Sequence, residues 1–210
     1  LVEGIRDTLY MTLASTLFGY IIGLPMGIVL TVTDKDGIRP NAAVYKVLDV
    51  ISNLLRSIPF IILLIVLIPF TRFVVGRSYG STATIVPLTI AAAPYIARMV
   101  ESSLKEVDAG VIEAARSMGA SDFQIVTKVM LVEARTSLIV GATISLGTIL
   151  GYSAMAGTVG GGGLGDIAIR YGYTRWQTDI MVVTVVLLVI LFQIFQTIGM
   201  KIANRLDRRK

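Results

Sequence analysis

Three long uncharged runs dominate the chain, at 8–33, 136–165 and 180–200. At a rise of about 1.5 Å per residue, each can cross a hydrocarbon core of roughly 30 Å. They predict membrane helices at 8–33, about 136–157 and 180–200. Two further segments are less plain. The run 57–71 is uncharged but short, and to cross it must extend back past Arg56, which gives a second span at about 47–70. The segment 78–97 is long enough but only moderately apolar, with Pro87 and Pro94 inside it. Such prolines are tolerated where neighbouring helices satisfy the freed carbonyls, so this third span is expected inside a bundle. The first run is too long for a signal-peptide core and has no cleavage-like site, and it is read as a retained span.

Between the third and fourth spans lies a polar stretch, 98–135, with a helical pattern of its own. Asp108 suits an N-cap, and Val111, Ile112, Ala115 and Met118 form an apolar stripe at helical spacing. Glu113 and Arg116 stand at i, i+3 and can pair. Gly119 suits the left-handed position past a helix end. Ser121 and Gln124 then make the S-x-x-Q capping box of a following helix. The pattern predicts a short helix at about 109–118, a sharp break, and a second helix running into span four. A helix resting on lipid headgroups accounts for the same stripe. The small residues Ala114 and Ala115 favour close approach of a protein partner instead.

Composition agrees with a membrane chain: 54% of the 210 residues are hydrophobic and 16% charged, against roughly 25% charged in soluble domains. The net charge of +5 is explained by topology rather than by nucleic acid, because most basic residues flank the apolar runs. With five spans, thirteen of the nineteen Lys and Arg fall on the side of the 98–135 stretch and five on the other, with Arg56 inside span two. That bias places the C-terminus in the cytoplasm and the N-terminus outside. The expected fold class is therefore an all-α integral membrane protein of five transmembrane helices, one domain over 1–210, with a cytoplasmic helix between spans three and four. Cysteine and histidine are absent, which excludes thiol nucleophiles, disulfides and the usual zinc ligands. With almost no carboxylates inside the spans, an intramembrane enzyme lacks a constellation to work with.

The stretch 113–131 reads E-A-A, three residues, G, nine residues, then V-x-L. In this spacing it resembles the EAA motif of ABC importer permeases, E-A-A-x3-G-x9-I-x-L-P. Val129 stands for the isoleucine and Val132 for the proline. Two further segments, RSIPFIILLIVLIPFTR (56–72) and GYSAMAGTVGGGGLGDIAIRYGY (151–173), resemble the permease subunits of bacterial methionine importers. With VPLTIAAAPYIARMVE (86–101), that resemblance covers nearly the whole chain. It implies a multi-pass protein of the cell inner membrane, not an enzyme itself, that imports methionine. The same class of permease for another amino acid or a small osmolyte is the alternative. It implies a homodimer, two copies of a cytoplasmic ATPase that bind ATP and magnesium, and an extracytoplasmic methionine-binding protein. It implies no cofactor in this chain and no nucleic-acid partner. Glu113, Ala114, Ala115 and Gly119 would then form the coupling helix that seats in the ATPase.

Five residues are candidates for a translocation path or gate: Asn53, Arg56, Tyr152, Ser153 and Met155. Arg56 at the centre of a helix costs about 2.5–3.5 kcal/mol unless it reaches the interface or pairs. Asp49, seven residues back, is a candidate partner, and Pro59 can bend the helix nearby. Asn53 can bond across a symmetric dimer. Tyr152, Ser153 and Met155 either line a path suited to a thioether or pack helices together. The glycines 160–163 are not followed by G-K-[ST], so they are no phosphate loop; a flexible outer turn is expected there, or a part in the outer mouth or in contact with the binding protein, where backbones approach closely. The tail 205–210 reads as a charged stop anchor.

Overall fold

In the computed structural model, which describes Leu1–Asp207, helices account for nearly all of the chain. Of the charged tail, residues 208–210 lie outside the described part. Helix α1 (Val2–Thr33) packs most extensively against α5 (Ser81–Lys105). The sequence reason is a glycine every fourth residue. Gly19, Gly23 and Gly27 face α5 so closely that a Cβ on Gly23 would stand 2.6 Å from the Ala93 carbonyl oxygen. Small residues at this spacing let membrane helices meet backbone to backbone. α5 is the central element. Both of its prolines are buried, in keeping with a helix enclosed by others.

The expected second span is not one helix. α2 (Ala42–Ser57) and α3 (Phe60–Val66) meet at an angle of 102°. Pro59 has no N–H to give and forces Ile58 into extended backbone, so the helix cannot continue through them. A second break precedes α4 (Ile68–Val75), which carries Pro69 in its first turn and ends at Gly76, where φ is +79°. Among the described residues, four helices are long and apolar enough to cross a membrane, or five where the bent pair α2–α3 is counted as one span.

After α5 come α6 (Ala109–Ser117), α7 (Asp122–Gln124), a π-helical turn over Ile125–Met130 and α8 (Leu131–Glu133). A single turn residue, Ala134, separates α8 from α9 (Arg135–Ala156). The break before the fourth span is thus made by a π-turn and Ala134, without the proline that Val132 replaces. Past α9 the chain makes a 3-10 turn at Gly157–Val159, then α10 (Gly163–Ile167), a π-turn at Ala168–Tyr173 and α11 (Thr178–Leu206). α11 leans on α9 where Gly147 meets Phe192 and Gly199 meets Thr143, and is otherwise largely exposed.

The expectation of a flexible turn at 160–163 is corrected. Gly160, Gly162 and Gly163 hold φ near +80°, open to glycine at little cost. Gly157 and Gly165 press backbone on backbone, leaving no space for a Cβ on either. Gly160 accepts from the Gly80 N–H at 2.9 Å and Gly161 from the Thr84 hydroxyl at 3.2 Å. The Leu164 N–H donates to Thr8 Oγ1 at 2.8 Å. The glycines make a close-packed knot joining α1, α5 and α9.

Candidate functional site

At the end of the bundle opposite this knot, α6 begins where Asp108 accepts the Gly110 N–H at 2.8 Å. It ends at Gly119, with φ +83°. Ser121 and Gln124 form the reciprocal capping box. Ile112 and Ala115 turn inward against the core cluster that includes Ile125, Val126 and Met130. The predicted stripe is split: Val111 and Met118 are exposed, Met118 by 82%. Glu113 and Ala114 lie on the open side, and Phe123 stands beyond the Gly119 turn, 76% exposed. Of the two alanines, Ala114 alone is on the free face. Arg116 does not pair with Glu113. It donates to the Ile38 carbonyl at 2.9 Å and approaches Asp122 at 4.0 Å, tying α6 to the segment after α1. Clefts of about 600 and 580 Å³ flank α6 on two sides.

Directly behind α6 lies a charged cluster that sequence reasoning missed. Arg98 on α5 pairs with Asp49 on α2 and with Glu101 at 2.7 Å, and donates to Asn53 Oδ1 at 3.2 Å. Glu101, 5% exposed, also receives Lys105 at 2.8 Å and the Tyr45 hydroxyl at 3.3 Å. Lys105 reaches on to Asp34 at 2.5 Å, just past the end of α1. The hydrogen bond from Lys105 holds the Asp34 carboxyl below the usual carboxylate range. Three helices are thereby joined by alternating charges, which is how buried charge is tolerated. Within the chain the Asn53 side-chain oxygen accepts from Arg98, and the residue is otherwise exposed.

Midway along the bundle a cavity of about 220 Å³ is lined by residues that include Arg56, Phe60, Leu63, Ala91, Tyr95 and Tyr152. The Phe60 and Tyr152 rings stack with centroids 4.7 Å apart and 3° between planes. Asp49, the partner considered for Arg56, belongs to Arg98. Of the other path candidates, Ser153 is buried and donates to the Leu150 carbonyl at 2.7 Å, so its hydroxyl serves its own helix. Met155 is 51% exposed and does not line the cavity. Of the five, the cavity gathers Arg56 and Tyr152. Phe60 and Tyr95 carried no signal beyond their aromatic character. No group of three or more Asp or Glu is placed to hold a metal ion among the described residues.

The model of the family "Binding-protein-dependent transport system inner membrane component" matches residues 19–210. The chain is 49% identical over 203 residues to a Vibrio cholerae protein named "Probable D-methionine transport system permease protein MetI", covering 97% of this chain and 90% of that one. It is 55% identical over 157 residues to the Escherichia coli D-methionine transport system permease protein MetI, covering 75% and 72%. Among solved structures, it superposes on a chain of the MetNI methionine ABC transporter in inward-facing conformations. The TM-score is 0.97 at 52% identity, over 99% of this chain and 96% of the other.

Proposed function

The chain belongs to the family of binding-protein-dependent transport system inner membrane components, and from that premise we propose that it is the permease subunit of an ATP-driven methionine importer. The carrying observation is the match to the methionine transporter chain along nearly the whole length. In this reading two copies of the chain form the pathway across the inner membrane. Two copies of a cytoplasmic ATPase bind ATP and magnesium, and an extracytoplasmic binding protein delivers methionine.

The α6 surface is the coupling element in this proposal. Glu113 and Ala114 face outward on a helix fixed at both ends, and the Arg116 contact to Ile38 leads from α6 toward α1. Gly119 makes the turn, and Ala115 packs the helix onto the bundle behind it. Closure of the ATPases on ATP would displace α6 and shift the bundle between inward-open and outward-open states, because the two states bind the closed ATPases unequally. Arg56 and Tyr152 belong to the pathway, and Asn53 to the charged frame beside it.

The test is reconstitution of the permease with its ATPase and binding protein in liposomes, followed by uptake of labelled methionine. ATP-dependent uptake supports the proposal. A stable ATPase complex that carries a different amino acid or an osmolyte keeps the class and replaces the cargo. Failure of any ATPase to associate removes the coupling role.

A further inference from the structure

The cavity at the α2–α3 break holds an unusual combination. Among the residues that line it, Arg56 is the one charged side chain, and the rest are apolar or aromatic. Arg56 is exposed at the rim and makes no ion pair or hydrogen bond among the described residues. The nearest carboxylate along its own helix, Asp49, is held by Arg98 on α5. The charged frame thus takes away the group that would neutralise Arg56. An unpaired guanidinium in an apolar span is costly, and such residues mark ligand paths. The bend at Pro59 turns α3 so that Phe60 stacks face to face on Tyr152, and the stacked pair stands at the edge of the cavity.

We propose that this cavity is a substrate subsite for a zwitterionic amino acid with an unbranched apolar side chain, Arg56 holding the carboxylate and the Phe60–Tyr152 pair holding the side chain. The assignment rests on the import reading and deepens it. A guanidinium presents a planar fork that matches a carboxylate. A thioether gains from contact with aromatic rings, and an unbranched chain lies flat along them. Tyr95 and Tyr152 supply phenol oxygens that can accept from an ammonium group. At about 220 Å³ the space is below the roughly 300–1,000 Å³ of drug-sized pockets and suits a single small metabolite.

The experiment uses the intact permease–ATPase complex in lipid nanodiscs, without binding protein, and measures equilibrium binding of labelled methionine. Saturable binding is expected, with norleucine competing and methioninol, which lacks the carboxylate, competing at least about tenfold more weakly. R56Q should lose about tenfold or more in affinity, and R56K should recover part of it. Equal competition by methioninol and norleucine overturns the subsite, as does an unchanged affinity in R56Q or the absence of saturable binding to the wild-type complex. If R56Q does not assemble, the competition on the wild-type complex decides alone. Wild-type uptake of methionine, measured in parallel, separates the two claims. Uptake with normal transport by R56Q sinks the subsite and leaves the import reading. No uptake by the wild type sinks the import reading, while the subsite stands or falls on binding.

Discussion

Arg98 on α5 pairs across the helix interface with Asp49 on α2 while holding Glu101 of its own helix at 2.7 Å. One guanidinium therefore fixes where α2 stands against the centre of the bundle. Arg98→Ala leaves the buried Glu101 short of a partner and Asp49 with none. Breaking such a cluster costs on the order of 3–5 kcal/mol. Thermal unfolding of the purified complex should show a clear loss for Arg98→Ala. Arg98→Lys should fall between, because an ammonium cannot reach Asp49, Asn53 and Glu101 from one plane.

Glu113 is exposed and has no side-chain partner among the described residues. Glu113→Arg should leave expression and melting temperature unchanged while lowering ATPase association and ATP-dependent uptake together. Normal association and uptake in this variant would remove α6 from the coupling role.

Three glycine substitutions separate close packing from backbone conformation. Gly165→Ala drives a Cβ into the Ala154 backbone and should cost about 4 kcal/mol or prevent assembly. Gly160→Ala has open space but a φ of +78°, and should cost about 1–2 kcal/mol. Gly151→Ala meets nothing within 4 Å inside α9 and should be neutral or gain up to about 1 kcal/mol. Expression level and melting temperature of the three variants test the order.

Asp34, hydrogen-bonded to Lys105, has its folded pKa below the unfolded value. Its contribution to stability is present above the unfolded pKa and is lost as pH falls through the folded one. Melting temperature should drop on the acid side of the ordinary carboxylate range, and Asp34→Asn should flatten that part of the profile. An identical acid limb in Asp34→Asn would place the transition elsewhere.

What was legible in the sequence was local. The Asp108 cap, the Gly119 turn and the Ser121–Gln124 box involve neighbours within a few residues, so composition and spacing encode them directly. The charged cluster joins positions 34, 45, 49, 53, 98, 101 and 105 from three helices; helical spacing links Arg98, Glu101 and Lys105 along α5, but no spacing rule ties them to positions 34, 45, 49 and 53. Asp49 is a candidate partner for Arg56 by sequence because both share a helix, beside the reading that Arg56 reaches the interface. The structure gives Asp49 to Arg98, because α5 lies alongside. Glycines 160–163 look mobile as composition but are locked by contacts to Gly80 and Thr84, far back in the chain. The Gly19, Gly23, Gly27 spacing was readable as a helix-packing stripe and went unused.

The contact between Thr8 and Leu164 joins residues 156 positions apart. One end of α1 is therefore completed only after α5 and α9 have been made. Until α10 exists, the Gly19–Gly27 seam of α1 can close on α5 but its end around Thr8 stays uncovered, while hydroxyls further along bond to their own helix, as Thr16 does to the Thr12 carbonyl at 2.7 Å. A chain stopped before residue 163 should insert α1 and α5 yet leave the Thr8 end of α1 and the Gly80 end of α5 accessible to protease. Assembly of this end of the bundle is thus a late step, in which α10 seals a helix made long before it.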